Sequence, residues 1–200
     1  MNPRTQRTQS NPRTKSVIRD WIESIIVAFI LAMIIRTFVI QAFKIPSGSM
    51  RSTLLEGDLI LVNKFIYGAK IPFIDLNLPA LRQPKKGDVI VFIYPDSPKK
   101  DFIKRLAGLP GETLEIKNGT VYVNDKPLID SIFNQRYYYN RGEFGQEGRK
   151  IKIPDDNFFV LGDNSASSQD SRYWGFVPRK NILGKALVIY WPPQRIRIIK

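Results

Sequence analysis

Apolar residues are concentrated near the N-terminus of the chain. Residues 21–43 are strongly apolar, and residues 25–35 include no polar side chain. Extended through Ile40, the run reaches about 20 residues, or roughly 30 Å of α-helix, which matches the hydrocarbon core of a bilayer. Glu23 and Arg36 lie near its ends, where charged side chains can reach the membrane interface. We therefore predict a single transmembrane anchor over residues 21–43.

Two other interpretations of this segment stay open. A buried core helix is one, because the uncharged run is short for a membrane span. A cleavable signal peptide is the other. It is disfavoured because no Ala-x-Ala follows the run, and the nearest small-x-small triplet is Ser47-Gly48-Ser49.

The residues before the apolar segment predict its orientation. Residues 1–20 are polar, with one acidic residue, Asp20, against a set of basic residues. Such a composition cannot build a core, and positive flanks stay on the cytoplasmic side. We predict a basic cytoplasmic tail over residues 1–20 and an extracytoplasmic domain over residues 44–200. The basic residues are Arg4, Arg7, Arg13, Lys15 and Arg19.

Beyond Lys44 the pattern predicts strands. Residues 113–123 form two alternating runs joined by Asn118-Gly119, the strongest short-range indication of a type I′ hairpin. Residues 67–86 and 134–150 predict irregular loops. No long amphipathic helix pattern follows residue 50. We predict a mainly β fold, an antiparallel β-sheet domain that is partly barrel-like. The other predicted strands are residues 58–63, 88–94, 157–161 and 186–191.

Composition narrows the chemistry. The 200 residues include no histidine and no cysteine. Disulfides, thiol nucleophiles, Cys/His zinc sites and histidine-activated serines are therefore excluded. If the chain is an enzyme, its base is Lys, Asp, Glu, Tyr or an amino terminus. A formal charge of +13 suggests an anionic partner, and the apolar segment favours membrane lipid over nucleic acid. We predict no metal and no other cofactor.

Three short segments carry candidate chemistry: residues 45–50 (IPSGSM), 102–111 (FIKRLAGLPG) and 162–172 (GDNSASSQDSR). Each alone has an ordinary structural explanation as a turn, a solvated charge pair or surface charges. In this order, and after an apolar segment, they resemble the boxes of bacterial type I signal peptidases. The resemblance extends over about residues 20–190.

The resemblance implies a membrane-bound serine endopeptidase that removes signal peptides from exported precursor proteins. It further implies a monomer in the cell (inner or plasma) membrane, crossing it once, with the N-terminus cytoplasmic and the peptidase domain outside. Ser49 matches the nucleophile and Lys104 the general base. Ser47 matches an oxyanion-hole serine, and Ser168 matches a serine that orients the lysine.

The resemblance also assigns supporting residues. Arg105 with Asp163, and Asp170 with Arg172, match ion pairs that hold the site together. One position departs from the family pattern, because Ser52 stands where a proline is usual in the turn after the nucleophile. The positions that match substrate pockets are Ile45, Met50, Leu54, Phe102 and Ile103.

The chemistry imposes conditions on Lys104. A lysine acts as a base only when its amine is neutral, and its ordinary pKa is about 10.4. Lowering that pKa by about 2–3 units requires roughly 3–4 kcal/mol of destabilisation of the ammonium, which burial can supply. Arg105 would lower the pKa further if it lay close to the amine. An extended substrate would add to a strand edge beside the site, and the resemblance implies small residues at the first and third positions before the cut.

Two alternatives compete with this function. One is a Ser–Lys self-cleaving protease, related to cytosolic repressors, which the apolar segment disfavours. The other is a non-catalytic, membrane-tethered β module that binds anionic surfaces. The second alternative predicts that Lys104 is an exposed cation and that Ser49 is replaceable.

Overall fold

The structure is a computed structural model that describes residues 17–34, 40–68, 79–130 and 132–200. It divides into two units, Met1–Ile35 and Arg36–Lys200. In the first, helix α1 spans Val17–Ile34. Its large apolar side chains are exposed, as with Trp21 at 67% and Phe29 at 66%. Within the described ranges, no helix meets the length and hydropathy needed to cross a membrane.

The boundaries of the predicted apolar segment need correction. Helix α1 begins at Val17, inside the predicted tail, and is described to Ile34. Residues 40–43, predicted as the end of the anchor, lie instead in strand β1 and pair with a second strand. An apolar run does not by itself distinguish a helix from a buried strand. Residues 1–16 and 35–39 lie outside the described ranges.

The second unit contains two antiparallel sheets. The larger has the order β1-β2-β11-β3-β4-β9-β10, with β12 pairing β11, and the smaller has the order β7-β6-β5-β8. In the described residues, the large sheet runs from β1 to β10 without closing on itself. The strands are β1 (Ile40–Lys44), β2 (Leu59–Asn63), β3 (Val89–Ile93), β4 (Asp101–Gly108), β5 (Thr113–Lys117), β6 (Thr120–Val123), β7 (Lys126–Pro127), β8 (Ile151–Lys152), β9 (Asn157–Leu161), β10 (Val177–Pro178), β11 (Ile182–Trp191) and β12 (Arg197–Ile198).

Alternating apolar positions build the cores of these sheets. The β5–β6 hairpin turns at Asn118 and Gly119, both with positive φ, as the Asn-Gly pair predicts. Apolar residues of β5, β6 and β9 form one core cluster. A second cluster packs β2, β3 and β11 against the turn that contains Met50 and Leu54. The mainly β, antiparallel prediction is therefore confirmed.

Several elements differ from the predictions. Strand β11 begins at Ile182, four positions before the predicted start, and strand β4 was not predicted. The predicted loop at 134–150 is irregular apart from a 3-10 turn at Glu143–Gly145. The other predicted loop falls partly on residues 69–78, outside the described ranges. Beyond residue 50, the one α-helix in the described residues is the four-residue α2 (Ser171–Trp174).

The turn after Met50 contains Ser52, the position at which the chain departs from the family pattern. Ser52 has a φ of 87°. Proline is held near −65°, so it cannot adopt this conformation. A proline at position 52 is thus incompatible with this turn as it is built here.

We expect Ser52→Pro to lower the free energy of unfolding by more than about 1 kcal/mol, because the native φ is inaccessible to proline. Ser52→Gly should leave stability unchanged or raise it by up to about 1 kcal/mol, because glycine adopts positive φ without strain. Thermal and urea unfolding of purified variants measures both. A Ser52→Pro protein as stable as the parent would contradict the turn geometry.

Candidate active site

Strand β4 places Lys104 and Arg105 on opposite faces of the large sheet, because successive strand residues alternate in direction. Lys104 is opposite Ile90 of β3, and Arg105 is opposite Val89. Arg105 pairs also with Leu161 of β9. The two adjacent cations are therefore separated by the sheet backbone and have different partners. Arg105 does not act on the Lys104 amine in the way that a close like charge would.

Ser49 lies on a 3-10 turn, Gly48–Met50, that follows strand β1. Asn164 holds this turn with two hydrogen bonds. Its backbone N–H donates to the Ser49 carbonyl oxygen at 3.0 Å, and its side-chain amide donates to the Gly48 carbonyl oxygen at 3.0 Å. The turn is thus fixed to the Gly-Asp-Asn segment, far away in sequence.

The Lys104 Nζ atom lies 2.8 Å from the Ser49 Oγ atom. The two residues are nearly buried, with 7% of Ser49 and 4% of Lys104 exposed. Lys104 Nζ also donates to the Ile103 carbonyl oxygen at 3.0 Å and lies 5.3 Å from the centre of the Phe102 ring. The amine is therefore oriented by its own strand, and a neutral amine in this position could accept the Ser49 proton.

Burial lowers the pKa of Lys104 to about 8, and the carboxylates of Asp170 and Asp163 oppose that change. Desolvation is the larger influence because it penalises the ammonium form directly. The predicted mechanism of pKa lowering by burial is therefore supported. Its size is consistent with a useful neutral fraction near neutral pH.

Arg105 and Asp163 form a buried, two-pronged ion pair. Arg105 Nε and Nη2 donate to the two Asp163 oxygens at 2.8 and 2.7 Å. Arg105 Nη1 donates to the carbonyl oxygens of Gly87 and Lys200 at 2.6 and 2.8 Å. The pair predicted from the sequence is present. The Arg105 guanidinium connects strand β4 to the segments that contain Asp163, Gly87 and Lys200.

Asp170 and Arg172 form a second buried pair around the start of α2. Arg172 Nε donates to Asp170 at 2.8 Å, and the other Asp170 oxygen accepts from the Gly162 N–H at 2.9 Å. Arg172 Nη1 donates to the Ser165 hydroxyl at 2.7 Å. These bonds hold residues 162–172 in a compact loop. The predicted pairing is present.

The two supporting serines have different surroundings. Ser47 is exposed, and its Oγ atom lies 3.5 Å from Ser49 Oγ, so it is at the mouth of the site. Ser168 is buried, and its Oγ atom has no hydrogen-bond partner among the described residues. Lys104 bonds Ser49 and Ile103 instead. The oxyanion role of Ser47 and the orienting role of Ser168 stay predictions.

The predicted substrate-contacting residues separate into two groups. Ile45, Met50 and Leu54 are buried in the core cluster beneath the Ser49 turn. Phe102 and Ile103 are partly exposed on β4. Phe102 lies beside Lys104, whereas the partly exposed Ile103 also packs against the cluster that supports the Ser49 turn from below.

Several residues of the site were not predicted. Thr53 donates to Asp163 at 2.5 Å and accepts from Arg105 at 3.0 Å, and Asn164 fixes the Ser49 turn. Gly162 approaches the Ser49 carbonyl so closely that a Cβ would lie 2.7 Å from that oxygen. Arg136, from the irregular loop, reaches Asp163 at 3.2 Å. Asn164 and Gly162 belong to a conspicuous motif, but nothing in the local sequence marks Arg136.

Two strand edges border the dyad. Strand β4 pairs with β9 only from Arg105 onward, so Asp101–Lys104 has no strand on that side in the described part of the chain. Strand β1 pairs with β2 on one side and, within the same residues, has no strand on the other. Both edges can accept an extended peptide. Within the described ranges, no group of three or more acidic side chains is placed to hold a metal ion.

Comparison with known proteins gives concordant results. The family described as "Signal peptidase, peptidase S26" matches residues 18–191. A signal peptidase I of Leptolyngbya laminosa is 38% identical over 201 residues, covering 97% of this chain and 90% of its own. Signal peptidase I P of Bacillus subtilis subsp. natto is 35% identical, covering 94% and 97%. A solved signal peptidase I from Enterococcus faecalis is 32% identical and covers 52% of this chain and 97% of its own, with a TM-score of 0.43.

Proposed function

Because the chain belongs to the signal peptidase family, peptidase S26, we propose that it is a serine endopeptidase that removes signal peptides from exported precursor proteins. In this proposal Ser49 is the nucleophile and Lys104 the general base. The observation that supports it most directly is the 2.8 Å contact between Lys104 Nζ and Ser49 Oγ in a nearly buried setting. The non-catalytic alternative requires an exposed Lys104, but Lys104 is buried.

The proposed reaction begins with the neutral Lys104 amine. The amine takes the Ser49 hydroxyl proton as Oγ attacks the scissile carbonyl carbon, and the carbonyl oxygen becomes an oxyanion. The carbon–nitrogen bond then breaks, and the Lys104 ammonium gives its proton to the departing amine. A water molecule attacks the acyl-Ser49 ester, Lys104 accepts the water's proton, and Ser49 leaves with a proton from that ammonium. The Ser47 hydroxyl, at the mouth of the site, is the proposed side-chain donor to the oxyanion.

The proposed substrate lies along the open edges beside the dyad. An extended precursor segment would pair with the main chain of Asp101–Lys104 or of β1, which carries the scissile bond past Ser49. Phe102 and Ile103 would contact alternate substrate side chains. Small residues at the first and third positions before the cut are proposed from the family resemblance.

We place the enzyme at the cell membrane, held by its N-terminal apolar segment with the basic tail inside and the peptidase domain outside. Helix α1 supports this because its large apolar side chains are exposed rather than packed in a core. The residues from Arg4 to Arg19 supply the positive flank. Such a position brings Ser49 close to the membrane-embedded signal peptides of its substrates.

The pH dependence of cleavage tests the proposed base. We expect kcat/KM of the purified chain in detergent, measured on a precursor between pH 6 and 11, to rise through a midpoint at about 8. Protonation of Lys104 removes the base below that pH, so activity falls tenfold per unit there. A midpoint near the ordinary lysine value of about 10.4 would contradict the burial argument. Absence of precursor cleavage at every pH would overturn the proposed function.

A further inference from the structure

Arg136 connects three parts of the site that lie far apart in sequence. Its Nη2 atom is 3.2 Å from Asp163 Oδ2, 3.1 Å from Thr53 Oγ1 and 3.4 Å from Ser52 Oγ. Its Nη1 atom donates to the Ile132 carbonyl oxygen of its own loop. The side chain is only 13% exposed. Arg136 therefore joins the loop to the turn after the nucleophile and to the buried carboxylate.

The contact between Arg136 and Asp163 is unusual because it places two guanidiniums on one carboxylate. Asp163 is completely buried and already has a two-pronged bond from Arg105. Arg136 brings a second guanidinium to the same carboxylate, although burying cations costs free energy unless each is well paired. Its Nε atom is buried without a hydrogen-bond partner among the described residues. Such an arrangement is costly to maintain if Asp163 needs only one partner for stability.

The turn held by Arg136 is the one that departs from the family pattern. Ser52 has a φ of 87°, so this turn lacks the fixed φ that a proline would impose. Thr53, the next residue, donates to Asp163 and accepts from both guanidiniums. Because only Met50 and Arg51 separate Ser49 from Ser52, movement of residues 52–53 would displace the nucleophile. Backbone hydrogen bonds from the Thr53 and Leu54 N–H groups to the Met50 carbonyl oxygen close the turn locally, and Arg136 adds a side-chain restraint from a distant loop.

We propose that Arg136 is a positioning residue that holds the turn after Ser49 against the Asp163 carboxylate and so aligns Ser49 with Lys104. This inference rests on the proposed peptidase function. It assigns to the irregular loop at 134–150 a direct part in the geometry of the dyad. Arg136 acts through Thr53 and Asp163 and does not itself touch the reacting atoms.

Arg136 should also affect the pH dependence of cleavage. Asp163 raises the pKa of Lys104, and Arg136 offsets part of that carboxylate's charge. Without Arg136, the pKa of Lys104 should rise, and the acid limb of kcat/KM should move to higher pH. The other charged groups around Lys104 stay in place in such a variant. They are the carboxylates of Asp163, after β9, and Asp170, at the start of α2, each with its own ion-pair partner, Arg105 or Arg172.

The test compares Arg136→Gln with Arg149→Gln, which removes the same charge from the same loop. Arg149 is partly exposed, with 40% of its side chain accessible, and pairs with Glu143. We expect Arg136→Gln to lower kcat about tenfold with KM changed less than about twofold, and to move the acid limb upward by about half a pH unit. Arg149→Gln should behave like the parent. A purely structural Arg136 would lower the melting temperature and leave the limb where it is.

Arg136→Lys separates charge from geometry. Lysine keeps the positive charge but cannot reach Asp163 and Thr53 with one planar fork. We expect its acid limb to match the parent and its kcat to stay reduced. If Arg136→Gln does not fold, the kcat of Arg136→Lys against Arg149→Lys decides the question.

The outcomes distinguish this inference from the proposed function. Unchanged kcat and limb in Arg136→Gln, with cleavage still dependent on Ser49, would overturn the positioning role alone. Cleavage that survives Ser49→Ala, or no cleavage by the parent, would overturn both. A shifted limb in Arg149→Gln as well would assign the effect to net charge and would also reject the positioning role.

Discussion

Ser49→Ala and Lys104→Met should each reduce kcat/KM for precursor cleavage by about 10⁴-fold or more, and the double variant should be no worse than either single variant. Alanine removes the nucleophilic oxygen, and methionine removes the proton acceptor while filling a similar volume. The two groups act on one proton across 2.8 Å, so losing either stops the same step. Rates from purified variants on one precursor, with rapid quenching, give the three values.

Matched controls keep this test specific. Ser167→Ala changes an exposed serine near the site, and Lys100→Met changes an exposed lysine four positions before Lys104. Both should retain activity within about twofold. Lys104→Met should fold normally, because replacing a buried ammonium by an apolar side chain is often neutral or stabilising. If the double variant lost much more activity than either single variant, the two residues would not form a dyad.

The elements that could be predicted from the sequence are those specified by local pattern. The β5–β6 hairpin follows from Asn118-Gly119 between alternating runs, and β9 follows from an apolar run bounded by polar residues. Strand β4 does not follow in this way, because Lys104 and Arg105 interrupt its apolar pattern and suggest a solvated pair. Both cations are buried because the sheet places one against Ser49 and the other against Asp163.

The site shows the same limit more sharply. Ser49, Lys104 and the two ion pairs could be predicted only because three motifs occur together in a known order. Thr53 and Arg136 contact Asp163 across separations of 110 and 27 residues, and no periodicity encodes such contacts. The positive φ of Ser52 could likewise not be predicted from the sequence pattern, because serine rarely adopts such a φ. These are tertiary properties, determined by which backbone segments the sheets bring together.

Gly162→Ala should reduce cleavage by at least about 10²-fold, because the new methyl group has no room beside the nucleophile. A Cβ at this position would overlap the Ser168 hydroxyl, approach Ser168 Cβ at 2.5 Å and approach the Ser49 carbonyl oxygen at 2.7 Å. To relieve this overlap the Ser49 turn must move away. A displacement of about 1 Å in a catalytic group lowers the rate on the order of 10²-fold. Overpacking should also lower the free energy of unfolding by about 1–3 kcal/mol.

A rescue experiment distinguishes the clash at the turn from general damage. Ser168→Gly, combined with Gly162→Ala, removes the overlap with Ser168 but keeps the 2.7 Å approach to the Ser49 carbonyl oxygen. We expect the double variant to recover stability while its kcat stays well below that of Ser168→Gly alone, because the nucleophile turn is still displaced. Ser167→Ala, at an exposed position of the same loop, is the control. If Gly162→Ala retained full kcat, the close approach between the Gly-Asp-Asn segment and Ser49 would not be what positions the nucleophile.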